Sequence, residues 1–521
     1  MPETRPATRW SGAFGDPIGS REDIQNTTQW FVRPTDEHES VYPRTRVLVG
    51  GKGSGKTLLL RILHSQARED HSRYVPKQLV NAPPPTTKII RFCESVTSGS
   101  LSDAWDRVWR SAILRSIASH LFCVPDLSNQ FSATDLDKLR KNYAEILPNY
   151  NEARNIYVEL GDLLDIQDQH SALLKRLQDP KWDDLETLFD RVLSTMPPIY
   201  FFVDGIDEFY EQAPAHWMRC QRGLFDRTIA YMRRPVFGER LHLVISIRDS
   251  VYYSALRSEH RTRYLDERIV RLHWDSGRLN ELLAKKVARL NKAHIGRPKA
   301  STPAERWLGI RTIWNDRRGC NEPVYEYLRR HLRPAPRDFV VLGNEICERM
   351  HSSPNETQSE IEKIVRESVA RTATHIGLES LNICAAQIAA DMLPSHAAIH
   401  GFEEIYVATQ EYRRSIVDHL SDLLKKNLPG DRFTAADLKD FDKAARTAFQ
   451  WDVDVPSGLW QSGLLGFVDP GDGSERHRFW FTTGAQTATL PRDVREYVLH
   501  PSLIDALAIN SLGETPVIPE L

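Results

Sequence analysis

Apolar residues follow two patterns along this chain. Up to about residue 275, short continuous apolar runs alternate with longer segments in which apolar positions recur every three or four residues. Beyond it, the second pattern dominates until about residue 430. TRVLV at 45–49 is a short run with β-branched members and predicts a strand. LLLRILHSQA, from residue 58, has helical periodicity. KIIRFC at 88–93 predicts a second strand, set off by the turn-rich NAPPPTT. Leu101, Trp105, Val108, Trp109, Ile113, Ile117 and Leu121 share one helical face, a core pattern and not a base-stacking platform. Helical periodicity then continues to 196. IYFFVDGIDEF at 199–209 is an unbroken apolar run ending in acids, as expected of a parallel strand buried on both faces. A helix over about 214–233 follows, then strands in LHLVISIR at 241–248 and RIVRLHW near 268–274.

From 276 onward the pattern predicts helices alone, with GRPKASTP at 296–303 as a loop, and 356–427 is helical as well. Thr434 is placed to cap a helix starting in FTAADLKDF, and LLGFVDPGDGSERHRFWFT reads as strand, turn, strand. Strands alternating with helices predict an α/β domain with a parallel sheet. An all-α lid and a C-terminal winged-helix-like α+β module follow it. The predicted divisions are a flexible arm at 1–27, an α/β domain at 28–275 with a helical insertion at about 101–196, a lid at 276–352, a helical connector at 353–428 and the winged-helix-like domain at 429–521.

Composition narrows the class. The chain has 521 residues, 41% hydrophobic and 26% charged, which excludes a mostly disordered protein. No apolar run approaches the ~18–20 residues that span a bilayer, and the N-terminus has no secretory apolar region. Six widely spaced cysteines, none in a CxxC pair, fit a reducing compartment. The expectation is a cytoplasmic protein with no membrane partner. Net charge is −2, so any basic surface must be local.

The chemistry concentrates at Gly50-Gly51-Lys52-Gly53-Ser54-Gly55-Lys56-Thr57, which fits the P-loop pattern GxxxxGK[ST]. Glycines let the backbone turn its N–H groups onto phosphate oxygens, and the following helix adds its positive end. Lys56 is expected on the β- and γ-phosphates and the Thr57 hydroxyl on magnesium. Asp204, at the tip of the acidic strand and beside the P-loop strand, is expected to hold the magnesium water shell. Asp207 and Glu208 are the alternatives for the general base that orients the attacking water. Arg248 ends the next strand, where it either meets the γ-phosphate or forms a surface pair with Asp249. Arg337, at a helix start in the lid, is placed to close onto the phosphates. Arg261, Arg263 and Arg268 are alternatives for a finger acting across a subunit interface.

The order of P-loop, DG-h-DE segment (Asp204, Gly205, Asp207, Glu208), strand ending in Arg, helical lid and winged-helix-like module resembles the STAND and KAP groups of P-loop ATPases. These are relatives of AAA+ proteins and archaeal Orc/Cdc6 initiators. APRDF resembles the Asn-Pro-Arg-Asp segment of KAP proteins, with Ala335 in place of Asn. IRDS at 247–250 followed by RIVRLHWD resembles soluble bacterial members found in phage-defence gene sets. The resemblance covers residues 30 to 350 or so. Gly205 stands where AAA+ enzymes usually place Glu, and no sensing repeat array is visible. The resemblance implies ATP and Mg2+ as cofactors, ATP hydrolysis, and a nucleotide-dependent switch or assembly factor in bacterial antiviral defence. Its partners would be further copies of itself, a protein encoded nearby, or both.

The alternative is a DNA-loading or transposition-helper ATPase using its winged helix, and a third reading is a nucleotide-binding scaffold with little turnover. Nucleic acid is the less favoured partner. Acids Asp440, Asp442, Asp452 and Asp454 outweigh Lys439, Lys443 and Arg446 on the helices that would read DNA, although the wing carries Arg476, His477 and Arg478. The densest basic stretch is Arg317, Arg318, Arg329, Arg330, Arg333 and Arg337 in the lid, either a surface for DNA, RNA or a neighbouring subunit's nucleotide or a solvated helical face with acid partners such as Glu322 and Glu326. His396 and His400 lack a third ligand for a metal.

Overall fold

The short apolar runs of the first half build one four-stranded sheet. In the computed structural model β1 (Val47–Val49), β2 (Ile199–Val203), β3 (Leu241–Ile247) and β4 (Ile269–Arg271) lie in the order β2-β3-β1-β4, with every pairing parallel. The structure describes residues 12–18, 31–32, 44–77, 85–95, 101–130, 133–165, 170–204, 214–256, 267–315, 319–351, 357–396, 402–449, 454–470, 475–481, 490–511 and 517–519. Alternate strand residues face opposite sides. Val47, Val49, Phe201, Val203, Ile245 and Ile247 enter one large core, while Leu48, Tyr200, Phe202, Val244 and Val270 enter a second beneath the other face. Burial on both sides is why these strands read as unbroken apolar runs.

Helix α1 (Lys56–Glu69) follows the glycine-rich loop and supplies Leu59, Leu60 and Leu63 to the second core. The first core is roofed by the insertion, chiefly α2 (Thr86–Ser95), α3 (Leu101–Cys123) and α4 (Ile156–Leu164), with α5 (Pro214–Arg233) between α3 and the sheet. Trp105 and Trp109 on α3 are fully buried there.

Three expectations are corrected. KIIRFC is not a strand but the body of α2. Ile89, Phe92 and Cys93 are buried at helical spacing, and Pro85 stands at the helix start, where proline is tolerated. The acidic strand does not adjoin β1, because β3 lies between them. The crossover from β1 to β2 carries the helical insertion and steps over one strand position, which β3 later fills. The lid is not all helical either. β5 (Thr312–Asn315) and β6 (Cys320–Pro323) form an antiparallel hairpin, and β5 alternates exposed and buried residues with the period of a strand.

Helix α6 (Asp249–Leu256) follows β3. In the lid, α7 (Val324–Arg330) and α8 (Pro336–His351) lead to the long helix α9 (Gln358–His396) and then α10 (Phe402–Asn427). The first half of α9 enters the lid core through Val365, Val369 and Ile376. Its second half enters a separate C-terminal core through Leu381, Cys384, Ala385 and Ile388. That C-terminal module contains β7 (Arg432–Thr434), α11 (Ala435–Phe449), α12 (Val455–Gln461), β8 (Leu465–Asp469), β9 (Arg476–Phe479), β10 (Glu496–Leu499) and α13 (Pro501–Leu507). Its sheet is antiparallel, in the order β7-β10-β8-β9, and β8 with β9 is the expected hairpin. Thr434 caps α11 as expected. Its Oγ1 accepts from the Asp437 N–H at 3.3 Å, and the Asp437 carboxylate accepts back from the Thr434 N–H at 2.8 Å.

Part of the N-terminal arm is docked on the lid. Phe14 is 2% exposed, lies 4.6 Å from the Trp307 ring, and is held by Asn344, whose side chain accepts from the Phe14 N–H at 2.7 Å and donates to the Gly15 carbonyl at 2.9 Å. Among the described residues no helix is long and apolar enough to cross a membrane.

Candidate functional site

The glycine-rich loop leaves the carboxyl end of β1, and the crossovers leaving the adjacent strands β1 and β3 start on opposite faces of the sheet: α1 packs into one core, while Val251, Tyr252 and Ala255, which follow β3, pack into the other. Open parallel sheets form their ligand crevice at such a reversal. Two glycines make the loop's path possible: Gly53 and Gly55 have φ of +81° and +93°, in the left-handed region that side chains disfavour. Gly53 also lies against the lid, since a Cβ there would stand 3.0 Å from the Arg337 Cβ. The loop is braced from several sides. The Gly50 N–H donates to the Ile247 carbonyl at 3.3 Å, the Ser54 hydroxyl to the Gly51 carbonyl at 2.9 Å, and the Trp274 indole N–H to the Ser54 carbonyl at 2.9 Å.

Lys56, 7% exposed, folds its ammonium back across the loop and donates to the carbonyls of Gly50 and Gly51 at 2.8 and 2.9 Å. Thr57 is half-buried in the first turn of α1. Lys52, nearer the lid, pairs with Glu379 of α9 at 2.7 Å. Arg337 is half-buried in the first turn of α8, and its backbone N–H points at the Gly53 carbonyl, 3.4 Å away.

Asp204 follows the last residue of β2 and is 3% exposed. Its carboxylate accepts from the Ser246 hydroxyl, and its carbonyl accepts from the Tyr157 hydroxyl at 2.6 Å. Register places it: Val203 is opposite Ile245, and Ser246 is opposite Leu48. Asp204 is therefore level with Leu48, one residue before the end of β1, and two strand spacings away, roughly 10 Å. Arg248, 6% exposed, leaves the carboxyl end of β3 between them, and its N–H donates to Gln221 at 3.2 Å. Asp249 lies against Gly51.

Lys52, Lys56, Thr57, Asp204, Arg248 and Arg337 thus gather at one edge of the sheet. Asp207, Glu208, Arg261 and Arg263 lie outside the described residues, as do Arg317, Arg318, His400 and the His396 side chain. Arg268 stands at the opposite edge, before β4, where its guanidinium donates to the Met232 carbonyl at 3.1 Å. The sequence reading missed Ser246, Tyr157, Trp274 and Glu379. Ser246 alone left a trace, as the hydroxyl inside the apolar run LHLVISIR.

The described lid arginines are engaged internally. Arg329 pairs with Glu326 at 2.6 Å, Arg330 with Glu322 at 2.9 Å, and Arg333 with both Asp338 and Glu379 at 2.9 and 2.5 Å. Burial pushes the Glu379 carboxyl up, but Arg333 and Lys52 outweigh it and hold its pKa at about 2. On the C-terminal hairpin, His477 is buried and Arg478 lies 3.3 Å from Asp469.

No family model matches the chain, and no solved structure matches it. Among curated proteins, a putative transposon gamma-delta 80.3 kDa protein of Escherichia coli (strain K12) is 24% identical over 299 residues. The match covers 54% of this chain and 40% of that protein, so the chain spans less than half the length of that relative.

Proposed function

We propose that this chain is an ATP-binding and ATP-hydrolysing switch of the P-loop class. The observation that carries the reading is the gathering of Lys56, Thr57, Asp204 and Arg248 at one sheet edge, around a loop with two left-handed glycines. These residues fit a magnesium–triphosphate. Lys56 would exchange its two carbonyl partners for phosphate oxygens, and the Thr57 hydroxyl would ligate the ion. Asp204, two strand spacings off and oriented by Ser246, suits an outer carboxylate that holds the ion's water shell. Arg248 follows the last residue of the strand between them, where it would meet the γ-phosphate. The general base is drawn from Asp207 and Glu208.

Contacts of the loop with the lid at Gly53 and with α9 at Lys52 support a role in which nucleotide state changes the packing of the lid and the C-terminal module. The order of helix, strand, two helices and hairpin in that module supports a winged helix. Internal pairing of Arg329, Arg330 and Arg333 supports a protein partner or a second copy over duplex DNA. A place in bacterial antiviral defence rests on the family resemblance alone. The transposon product's name favours the second reading, an ATPase assisting DNA movement.

The test is Mg-ATP binding and turnover by wild type and Lys56→Ala, with and without duplex DNA at two salt concentrations. Lost binding in Lys56→Ala and turnover indifferent to DNA are expected. Tight ATP binding retained by Lys56→Ala refutes the phosphate site. Turnover stimulated by DNA, with the stimulation fading in salt, selects the second reading.

A further inference from the structure

Glu379 is the residue in the phosphate region that neither the sequence pattern nor the fold class calls for. It lies on α9, yet one carboxylate oxygen takes the Lys52 ammonium at 2.7 Å and the other takes Arg333 at 2.5 Å. Lys52 belongs to the glycine-rich loop. Arg333 also holds Asp338 in the first turn of α8, next to the residue whose N–H faces the Gly53 carbonyl. Three elements, the loop, the lid and α9, therefore meet on one carboxylate whose side chain is 12% exposed.

Its place along α9 gives this contact a consequence. Ile376 is the last α9 residue in the lid core and Leu381 the first in the C-terminal core, so Glu379 sits where the helix passes from one to the other. Two residues earlier, Gly377 lies directly on α13 of the C-terminal module: a Cβ there would be 2.3 Å from the Ser502 carbonyl oxygen. At that point the α9 backbone cannot move toward α13 without moving it.

We infer that Lys52–Glu379 is a latch that nucleotide opens, with Glu379 as a positioning residue that competes with the triphosphate for the Lys52 ammonium. The inference rests on the phosphate-site reading above. Bound Mg-ATP draws Lys52 to its terminal phosphate. Glu379 keeps Arg333 but loses the loop, which removes the ionic tie of α9, and of α13 packed on it, to the loop, while the packing of α9 on α5 and of the lid on Gly53 stays. The carboxylate thus holds the loop in its nucleotide-free form and lowers affinity for ATP.

The effect on affinity separates this role from a structural one. Glu379→Gln should bind Mg-ATP more tightly, by roughly 5-fold or more, the lower end of ordinary site-to-site coupling. Loss of a merely structural ion pair would weaken binding or leave it unchanged. Lys52→Gln leaves the Arg333–Glu379 pair and the lid intact. Without nucleotide, its amides at 376–388 and 501–507 should exchange hydrogen as fast as those of wild type saturated with a slowly hydrolysed ATP analogue. Unchanged or weaker affinity in Glu379→Gln, or wild-type exchange in nucleotide-free Lys52→Gln, overturns the latch. Lys56→Ala, measured alongside, separates the two levels. If it abolishes binding while the latch variants behave as wild type, the latch alone fails. If it retains binding, the phosphate site fails and the latch with it.

Discussion

Mild acid should loosen the C-terminal module through His500. This residue is 1% exposed and caps α13, its Nδ1 accepting from the Ser502 N–H at 3.2 Å, with the Ser502 hydroxyl 2.8 Å away. Its ring lies edge-on to Phe479 and Phe481. Burial, then the neighbouring His331 and Arg333, push its pKa down to about 3, against the opposing pull of Asp505 and the Leu332 backbone. In the unfolded chain the imidazole titrates near 6.5. Below that pH the unfolded state binds a proton that the folded state does not. Stability therefore falls as pH drops from 6.5 toward 3 and is fully present above 6.5. At about 1.4 kcal/mol per pH unit, His500 alone costs the fold about 2 kcal/mol at pH 5.

Burial lowers the pKa of His64, His120, His242, His273 and His331 as well, so the wild-type slope sums over several groups. The informative quantity is the difference from His500→Asn, whose amide oxygen can cap α13 without titrating. Denaturant unfolding of both proteins at pH 7 and pH 5, followed by fluorescence of Trp460 and Trp480 in that module, measures it. The wild type should lose about 2 kcal/mol more than the variant between these pH values. Equal losses would refute the assignment of a neutral, capping His500. Glu379 does not blur the comparison. Its depressed carboxyl contributes stability that begins to be lost only below its unfolded value of 4.5.

Two further outcomes follow from packing. Gly377→Ala places a methyl 2.3 Å from a backbone oxygen that cannot rotate away, so α9 and α13 must separate. About 1–3 kcal/mol of stability should be lost, and limited proteolysis should cut the C-terminal module first; unchanged melting would mean the two helices have slack. Phe14→Ala empties a site on the lid against Trp307 and should cost about 3 kcal/mol, the low end for a buried aromatic. A melting temperature equal to wild type would show that the N-terminal segment does not contribute to the lid.

The parts of this molecule legible in the sequence are those set by contacts close along the chain. The glycine-rich loop between β1 and α1, the buried strands, the α11 cap and the β8–β9 hairpin are each specified within a short stretch of neighbouring residues. KIIRFC misled because a six-residue apolar run satisfies both strand and helix periods, and only the packing of Ile89, Phe92 and Cys93 decides between them. The position of β3 between β1 and β2 is a property of long crossovers, which leave no periodic trace. The lid arginines show both sides of the limit. The pairing of Arg329 and Arg330 with Glu326 and Glu322 is one of the two readings open in the sequence, whereas Glu379, the partner of Arg333, lies far along the chain and leaves no trace.

That distant pairing bears on how a change at the loop reaches the rest of the protein. The C-terminal module touches elements on both sides of the loop. Through α9 it meets Lys52. Through Trp480, whose ring packs edge-on at 4.6 Å against Tyr253 of α6, it meets the helix that begins beside Gly51 and follows Arg248. These contacts differ in kind. The Lys52–Glu379 pair is ionic and 27% exposed on its lysine side, so an arriving anion can compete for it. The Tyr253–Trp480 contact is apolar, continues into Trp460 at 6.1 Å, and offers a phosphate nothing to exchange. On the latch proposal, a charge arriving at the loop releases the ionic attachment and leaves the apolar one, together with the packing of α9 on α5 and the His331–Asp505 pair. The motion that fits is a limited shift of α9 and the C-terminal module with these contacts kept, not detachment of the module. A variant that weakens the aromatic contact, such as Tyr253→Ala, should enlarge that shift, read as faster hydrogen exchange at 376–388 with the nucleotide analogue bound; unchanged exchange would show that the aromatic contact does not limit it.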